Sequence, residues 1–383
     1  MEKDNIEVTI LMPCLNEHET IGTCIKKAKT FLEKNNINGE VLIADNGSTD
    51  DSVDIAKSLG ARVISVEKKG YGNALIKGTK EAYGKYVIMG DSDDSYDFLN
   101  LEGFVDELRN GADLVMGNRF KGTIEKGAMP FSHRYIGTPI ISLLGRILYK
   151  SKIGDFNCGL RGCNKEKILS LNLCCEGMEY ASEMIIKAQQ NNLKVVEIPT
   201  NLKKDGRTRA PHLNTIRDGW RHFNFLLINA PRWIFLTPAI IFMVIGLIGI
   251  FLLLKGQLVF ENFSLGINTM LYCNTFIIVG FQLLIFYLLD RLYCYNEKMI
   301  TSLDSFTEKI ANELNGKYVV LGLSMILIGF IMSISSIVKW KDVNFSELNP
   351  TVFMPAVIFA NLLLAIGCEL VFSVFLVNII KKR

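Results

Sequence analysis

Four carboxylates fall within seven positions where Val87-Ile88-Met89-Gly90 runs into Asp91-Ser92-Asp93-Asp94-Ser95-Tyr96-Asp97. The apolar residues read as the end of a buried strand, so the negative charge is stranded at that strand's C-terminal edge. Hard divalent cations such as Mg²⁺ and Mn²⁺ take carboxylate oxygens, and Mg²⁺ combines one or two carboxylates with substrate phosphates. Asp91 and Asp93, just past the strand, could grip such an ion from one side while a diphosphate grips it from the other. A solvated acidic turn capping the next helix is the plainer reading of the same residues.

The elements around the cluster favour the first reading. Residues 8–11, 40–44, 62–66, 86–89, 113–116 and 194–198 read as short apolar strands with turn residues behind them. Between the first two, Ile21, Ile25, Ala28 and Leu32 recur at helical spacing, and residues 49–59 and 72–83 fill the next two gaps as helices. This βαβαβα order predicts an α/β, doubly wound, mostly parallel sheet whose ligands bind beyond the carboxyl ends of its strands. Asn16-Glu17, Asp45-Asn46-Gly47-Ser48, Asp91 to Asp97 and Asn118-Arg119 all follow strands, which loads one edge with polar groups.

Several classes are disfavoured. Gly70-Tyr71-Gly72 lacks the third glycine of a dinucleotide fingerprint and follows the third strand, and no GxxxxGK[ST] loop exists. These glycines read either as clearance beside a nucleotide or as an ordinary tight turn. The nine cysteines are scattered without a CxxC pair, which indicates neither a disulfide framework nor a structural zinc site. A formal charge of +3 with no basic, aromatic-interleaved stripe gives no nucleic-acid surface. None of the four histidines sits in a nucleophile arrangement.

The 383 residues divide by composition into a domain at 1–210, an amphipathic juxtamembrane helix at 211–233 and a transmembrane domain at 234–383. In the second, Trp220, Phe223 and Leu227 oppose Arg217 and Arg221, as in a helix lying in a membrane interface. Four spans are expected at about 234–254, 268–289, 318–338 and 352–380, the first being 21 residues without a charge. Arg221, Arg232, Arg291, Lys298, Lys309, Lys317, Lys381, Lys382 and Arg383 fall on one side, against Lys255, Lys339 and Lys341 on the other. This asymmetry puts the front domain and both termini in the cytoplasm of a plasma membrane, prokaryotic by expectation. The opening residues hold no apolar run long enough for a signal peptide. Met299, Leu303, Phe306 and Ile310 predict a further interface helix between spans two and three. Glu369, inside the fourth span, is expected to be protonated or hydrogen-bonded to a neighbouring span, with transport as the alternative.

Taken together, the chain resembles the family 2 glycosyltransferases with a GT-A fold, and within them the polyprenyl-phosphate branch typified by dolichol-phosphate mannose synthase. The resemblance covers residues 6 to about 230. It is carried by Met12-Pro13-Cys14-Leu15-Asn16-Glu17, Ala44-Asp45-Asn46-Gly47-Ser48-Thr49-Asp50, Asp91-Ser92-Asp93, Gly117-Asn118-Arg119-Phe120 and Asp155-Phe156-Asn157-Cys158-Gly159-Leu160-Arg161. Asn46 departs from it, standing where the family usually has a second aspartate. Ser95 stands where mannose synthases carry a glutamine metal ligand.

The resemblance implies that Pro13, Leu15, Glu17 and Asp45 hold the nucleoside of a nucleotide-diphosphate sugar; Glu183, in a helix-like stretch at 178–183, is a candidate for the sugar hydroxyls or an ordinary helix-surface residue. It implies that Asp91 and Asp93 meet Mg²⁺ or Mn²⁺ and the diphosphate, and that Arg119 and Arg134 take the phosphate of a polyprenyl (undecaprenyl or dolichyl) acceptor. Thr138, Arg207 and Arg209 are counted beside those arginines. Lys203, Lys204, Arg207 and Arg209 look like a basic flap pivoting on Gly206. The implied reaction inverts the sugar's anomeric centre and gives a polyprenyl-phosphate sugar. Membrane lipids are the expected surroundings, nucleic acid is not a partner, and a homo-oligomer is the one further association allowed for. A processive polysaccharide synthase is the nearest rival, but its QxxRW motif is absent. A nucleotide-binding membrane scaffold or transport partner without turnover is the other.

Overall fold

The computed structural model describes residues 6–208, 215–254, 256–297, 300 and 302–381. Arg209, Lys255, Lys298, Met299, Lys382 and Arg383, all named above, lie outside them. The described chain divides into two units, Met1–Asn229 and Ala230–Arg383.

In the first unit the strands are β1 (Val8–Cys14), β2 (Gly39–Asp45), β3 (Arg62–Ser65), β4 (Tyr86–Met89), β5 (Leu114–Asn118), β6 (Arg161–Asn164) and β7 (Val195–Pro199). Between and after them run α1 (Ile21–Lys34), α2 (Ser52–Ser58), α3 (Tyr71–Glu81), α4 (Glu102–Arg109), α5 (Thr138–Tyr149), α6 (Lys165–Leu169), α7 (Tyr180–Gln190) and α8 (Thr215–Ile228). The sheet order is β3-β2-β1-β4-β6-β5-β7, parallel except for β6, which pairs antiparallel with both β4 and β5. The expected doubly wound, mostly parallel sheet is therefore present, with one reversed strand that no apolar run announces.

Strand periodicity explains the layers. Ile10 and Met12 of β1, Val41 and Ile43 of β2 and Ile88 of β4 join one core cluster, while Leu11, Leu42, Ala44, Val87 and Met89 join the other. Alternate side chains of a strand point to opposite faces, so both faces of this sheet are covered and the strands read as unbroken apolar runs. The first cluster takes in Ile21, Ile25, Ala28 and Leu32, the face of α1 that the spacing marks out, with Phe104, Val105 and Leu108 of α4. The second takes in α3, α7 and Leu226 of α8.

The second unit holds α9 (Thr237–Leu253), α10 (Ile267–Asn296), α11 (Ser305–Glu313), α12 (Gly316–Asp342) and α13 (Pro350–Lys381), with a small hairpin of β8 (Leu258–Val259) and β9 (Ser264–Leu265) between α9 and α10. Four helices, Arg232–Leu253, Ile267–Asn296, Gly316–Asp342 and Pro350–Lys381, are long and apolar enough to cross a membrane, with mean hydropathy from 1.8 to 2.7. Small residues let them approach closely. A Cβ on Gly322 would stand 2.8 Å from the Gly367 carbonyl, and one on Gly246 would stand 2.6 Å from the Cys273 carbonyl. Leu303 and Ile310 pack α11 and its lead-in against Tyr287 and Leu292, and the Tyr287 hydroxyl donates to Asp304 at 3.0 Å. The Glu369 Oε2 is buried without a hydrogen-bond partner among the described residues.

Candidate active site

The carboxyl ends of β1, β2 and β4 lie side by side, because Cys14 pairs with Asp45 in the β1–β2 register and Leu11 with Met89 in the β1–β4 register. Each turn beyond them is tied to its neighbour. The Asn16 N–H donates to Ser48 Oγ at 2.9 Å, Asn16 Oδ1 accepts from Thr49 N at 2.7 Å, and the Glu17 N–H donates to Ser52 Oγ at 2.7 Å. Ser92 Oγ donates to the Pro13 carbonyl at 2.7 Å, which brings the turn of β4 against that of β1. Pro13 and Leu15 are half-buried there and Glu17 is buried. Asp45 turns its carboxylate onto its own loop, accepting from Gly47 N and Ser48 N at 3.1 Å each.

Asn46, the departure from the family pattern, has a physical reason. Its Nδ2 donates to the Lys68 carbonyl at 2.8 Å and to the Val66 carbonyl at 3.4 Å, and its Oδ1 accepts from Gly70 N at 2.7 Å. An aspartate has nothing to donate to those carbonyls. Asn46→Asp is therefore expected to destabilise the first unit by about 1–3 kcal/mol, the cost of leaving buried acceptors unmatched. Thermal unfolding of the purified protein checks this, and an unchanged Tm would contradict it.

At the end of β4, Tyr71 donates its hydroxyl to Asp91 Oδ1 at 2.9 Å. Asp93 Oδ1 accepts from Ser95 N at 3.0 Å and Ser95 Oγ at 2.5 Å, and its Oδ2 accepts from Arg207 at 2.6 Å. Burial first, and the Asp93 carboxylate second, push Asp91 up to about 6, while the Tyr71 hydrogen bond, Arg207 and Arg119 act in the opposite sense. A half-buried carboxylate raised by its buried neighbour fits a divalent cation, since a bound positive charge would relieve the repulsion. Asp91 and Asp93 are the residues that would hold it. No group of three or more His, Cys, Asp or Glu side chains suited to a metal forms among the described residues, so the remaining ligands must come from elsewhere. Ser95 is occupied as a donor to Asp93.

Arg207 stands in the same place. Beyond Asp93 it pairs with Glu17 at 3.1 Å and Asp205 at 3.1 Å, while Gly206 N donates to the Asp93 carbonyl at 3.0 Å. The basic flap thus lies across the acidic pair, on the residues assigned to the donor, and its guanidinium occupies an oxygen that a metal would need.

Arg119, at the end of β5, makes a two-pronged pair with Asp155, Nε to Oδ2 at 2.7 Å and Nη2 to Oδ1 at 2.8 Å. The Asp155 side chain is 0% exposed and that of Arg119 11%. Asp155 is held in turn through Glu197, which accepts from Gly154 N and Asp155 N at 2.7 and 3.1 Å. Burial, and behind it the charge of Arg119, keep His133 below the usual imidazole range. His133 thereby brings the start of the π-helical turn His133–Gly137 within the field of Arg119, a neighbour the sequence did not single out. Arg134 lies over the Tyr135 ring at 5.5 Å, and no carboxylate pairs with it among the described residues. Thr138 is buried at the start of α5. Asn157 Oδ1 is a buried acceptor with no partner among the described residues.

Two expected contributors have other contacts. Glu183 is 2% exposed and accepts from Cys174 N and Cys175 N while pairing with Lys187 at 2.8 Å, so its carboxylate holds its own helix and the loop before it. Gly72 clears a neighbouring backbone, since a Cβ there would meet the Cys175 carbonyl at 2.0 Å.

One further surface went unread in the sequence. Phe131, Tyr135, Ile136, Ile140, Leu143 and Ile147 are 47–72% exposed along the π-helical turn and α5. Tyr149 donates to the Leu226 carbonyl at 2.6 Å, so α5 packs beside α8, whose Trp220 and Ile228 are also exposed. An unpartnered apolar run this long marks an interaction surface rather than ordinary solvent exposure.

Comparison with known proteins shows the family. Residues 9–170 match the family described as Glycosyl transferase family 2, and residues 288–381 match the Glycosyltransferase family 2 C-terminal transmembrane region. The low-salt glycan biosynthesis hexosyltransferase Agl6 of Haloferax volcanii is 33% identical over 376 residues, spanning 97% of this chain and 88% of that protein. A dolichyl-phosphate hexose transferase of the same organism is 28% identical over 195 residues, 50% of this chain and 81% of its own length. A crystal structure of glucosyl-3-phosphoglycerate synthase from Mycobacterium tuberculosis is similar at a TM-score of 0.48 and 21% identity, covering 60% of this chain and 81% of that one.

Proposed function

The chain belongs to glycosyl transferase family 2, and from that premise we propose that it moves a sugar from a nucleotide-diphosphate sugar to a polyprenyl phosphate. The observation that carries the reading is the pairing of two features on one unit. A sheet edge holds Asp91, Asp93 and Arg119 within one another's field, and an exposed apolar helix follows the loop beyond Arg119.

Each residue has a task in this account. Pro13, Leu15, Glu17 and Asp45 line the turns on which the nucleoside would rest. Asp91 and Asp93 would hold a divalent cation, which when bound supplies charge neutralisation for the departing diphosphate. Arg207 must leave Asp93 as the donor arrives, and its freed guanidinium then faces the phosphates it has screened. Arg119, fixed by Asp155, and Arg134 orient the acceptor phosphate. That phosphate is already anionic at neutral pH, so its attack on the anomeric carbon needs no protein base and the chain contributes mainly alignment. Donor and acceptor repel by roughly 4 kcal/mol per charge pair at about 4 Å and an effective dielectric of 20, which the fixed arginines offset.

The lipid side rests on α5. With Ile140→Asp and Leu143→Asp combined, the KM for polyprenyl phosphate in vesicles should rise about tenfold or more, because charge on the lipid-facing stripe weakens its insertion. Turnover of a short, water-soluble prenyl phosphate should stay the same. Equal losses on both acceptors would contradict a membrane role for this face.

The reading as a whole is tested with membranes containing the protein, a radiolabelled nucleotide sugar, Mg²⁺ and undecaprenyl or dolichyl phosphate. Label in a butanol-extractable, mild-acid-labile product supports it. Label in insoluble polymer supports a polysaccharide synthase instead, and no transfer across a donor panel supports a non-catalytic scaffold.

A further inference from the structure

We infer that the end of the helical unit remote from the Asn229–Ala230 junction carries a second binding site, for a neutral, hydroxyl-rich group such as a sugar residue. α9 leads away from that junction, and a cavity of about 350 Å³ opens where its C-terminus meets the starts of α10 and α13. That size falls at the lower end of small-molecule pockets, roughly 300–1,000 Å³. The cavity shares no residue with the sheet edge described above, so the inference stands apart from the transfer reading.

The lining decides the chemistry. Gln257 and Asn268 offer carboxamides, Ser264, Thr269 and Thr351 offer hydroxyls, and none of the described lining residues is charged. Backbone groups add to these. α10 begins after Gly266 without a side-chain cap, so the N–H groups of its first turn, at the cavity wall, have no partner within the helix. Pro355, inside α13, has no N–H to give the Thr351 carbonyl four residues earlier, and both residues line the cavity. Two internal bonds fix the side chains: Gln257 Nε2 donates to Ser264 Oγ at 3.0 Å, and Thr351 Oγ1 donates to Asn349 Oδ1 at 2.6 Å. Gln257 Oε1 is left to accept.

Donors and acceptors in similar number, with no formal charge, match a ligand that both gives and receives hydrogen bonds and carries none itself. Among the described lining residues an ion would find no counter-charge to offset the loss of its hydration. A sugar ring has the required pattern. Phe260 and Phe263 stack at 4.8 Å at the tip of the hairpin whose base lines the cavity, and both rings are exposed, giving apolar faces for ring C–H groups.

The test uses the full-length protein in nanodiscs. Glucose, mannose, galactose and N-acetylglucosamine are titrated free, then as glycosyl-phosphoprenols, with binding followed by calorimetry and saturation-transfer NMR. At least one should bind. Gln257→Leu combined with Asn268→Leu should weaken that binding about tenfold or more, whereas Asp93→Asn should leave it unchanged. Preference for the lipid-linked form would identify a glycolipid headgroup as the ligand, and equal affinity a free sugar. An unaltered Tm and unaltered sugar transfer in the double variant would show that the loss is local. The inference is overturned if none of these sugars binds, or if binding survives the double substitution, whatever the effect of Asp93→Asn.

Discussion

Asp93→Asn should lower kcat by about a thousandfold or more, with the protein still folded. The substitution removes one of the two carboxylates that would hold a divalent cation against the donor diphosphate, and a Lewis-acid site of this kind is worth several kcal/mol at the transition state, about 1.4 kcal/mol per tenfold. It also removes one of the three carboxylates that hold Arg207, leaving Glu17 and Asp205. Arg207 is therefore a built-in control: Arg207→Gln should strengthen Mn²⁺ binding to the donor-free protein, because the competing guanidinium is gone, and should raise the KM for the nucleotide sugar. Mn²⁺ titration by electron paramagnetic resonance reads the first effect and steady-state kinetics the second. Near-full activity in Asp93→Asn would remove the acidic pair from the mechanism.

Arg119→Lys should cost about a hundredfold in kcat/KM for the lipid phosphate, the scale on which a single preorganised donor is lost. Charge is conserved in this variant, so the expected loss comes from geometry. The guanidinium spans both oxygens of Asp155 at 2.7 and 2.8 Å while the Asp155 side chain is wholly buried, and an ammonium can engage only one of them well. The lysine would then swing between Asp155 and the acceptor instead of presenting a fixed edge to it. Asp155→Asn should reproduce much of the defect, since Asp155 acts through Arg119. A large loss in Arg119→Lys with donor KM unchanged supports the acceptor assignment, and a rise confined to donor KM contradicts it.

The sequence was informative where one physical signal dominated. Unbroken apolar runs ending in polar clusters mark β1, β2 and β4 because those strands are buried on both faces and their ends carry the polar turns of one sheet edge. The α1 stripe was equally plain at Ile21, Ile25, Ala28 and Leu32. β6 was not, because Arg161-Gly162-Cys163-Asn164 carries no apolar run. Arg161 is buried only because it donates to the carbonyls of Cys158, Ala181 and Phe156, while Gly162 makes room for Phe104 and Leu108. Such compensation is tertiary and leaves no periodic trace. The carboxylate cluster was visible and Arg207 was read as part of a basic flap beside the acceptor phosphate, but its pairing with Asp93 was not, since 114 residues separate the two. The α5 stripe was missed for another reason. Its apolar residues look like those of any core-facing helix until the fold shows that Ile140, Leu143 and Ile147 face outward.

The most direct measurement of the central claim is the intact mass of the lipid after reaction, with the released nucleotide quantified alongside it. Polyprenyl phosphate should gain the mass of one glycosyl residue, with one nucleoside diphosphate released per lipid converted and both products absent with Asp93→Asn. A gain of a glycosyl phosphate accompanied by nucleoside monophosphate would mean that a different bond is broken. Nucleoside diphosphate without any change in the lipid would mean that the acceptor assigned to Arg119 and Arg134 is wrong.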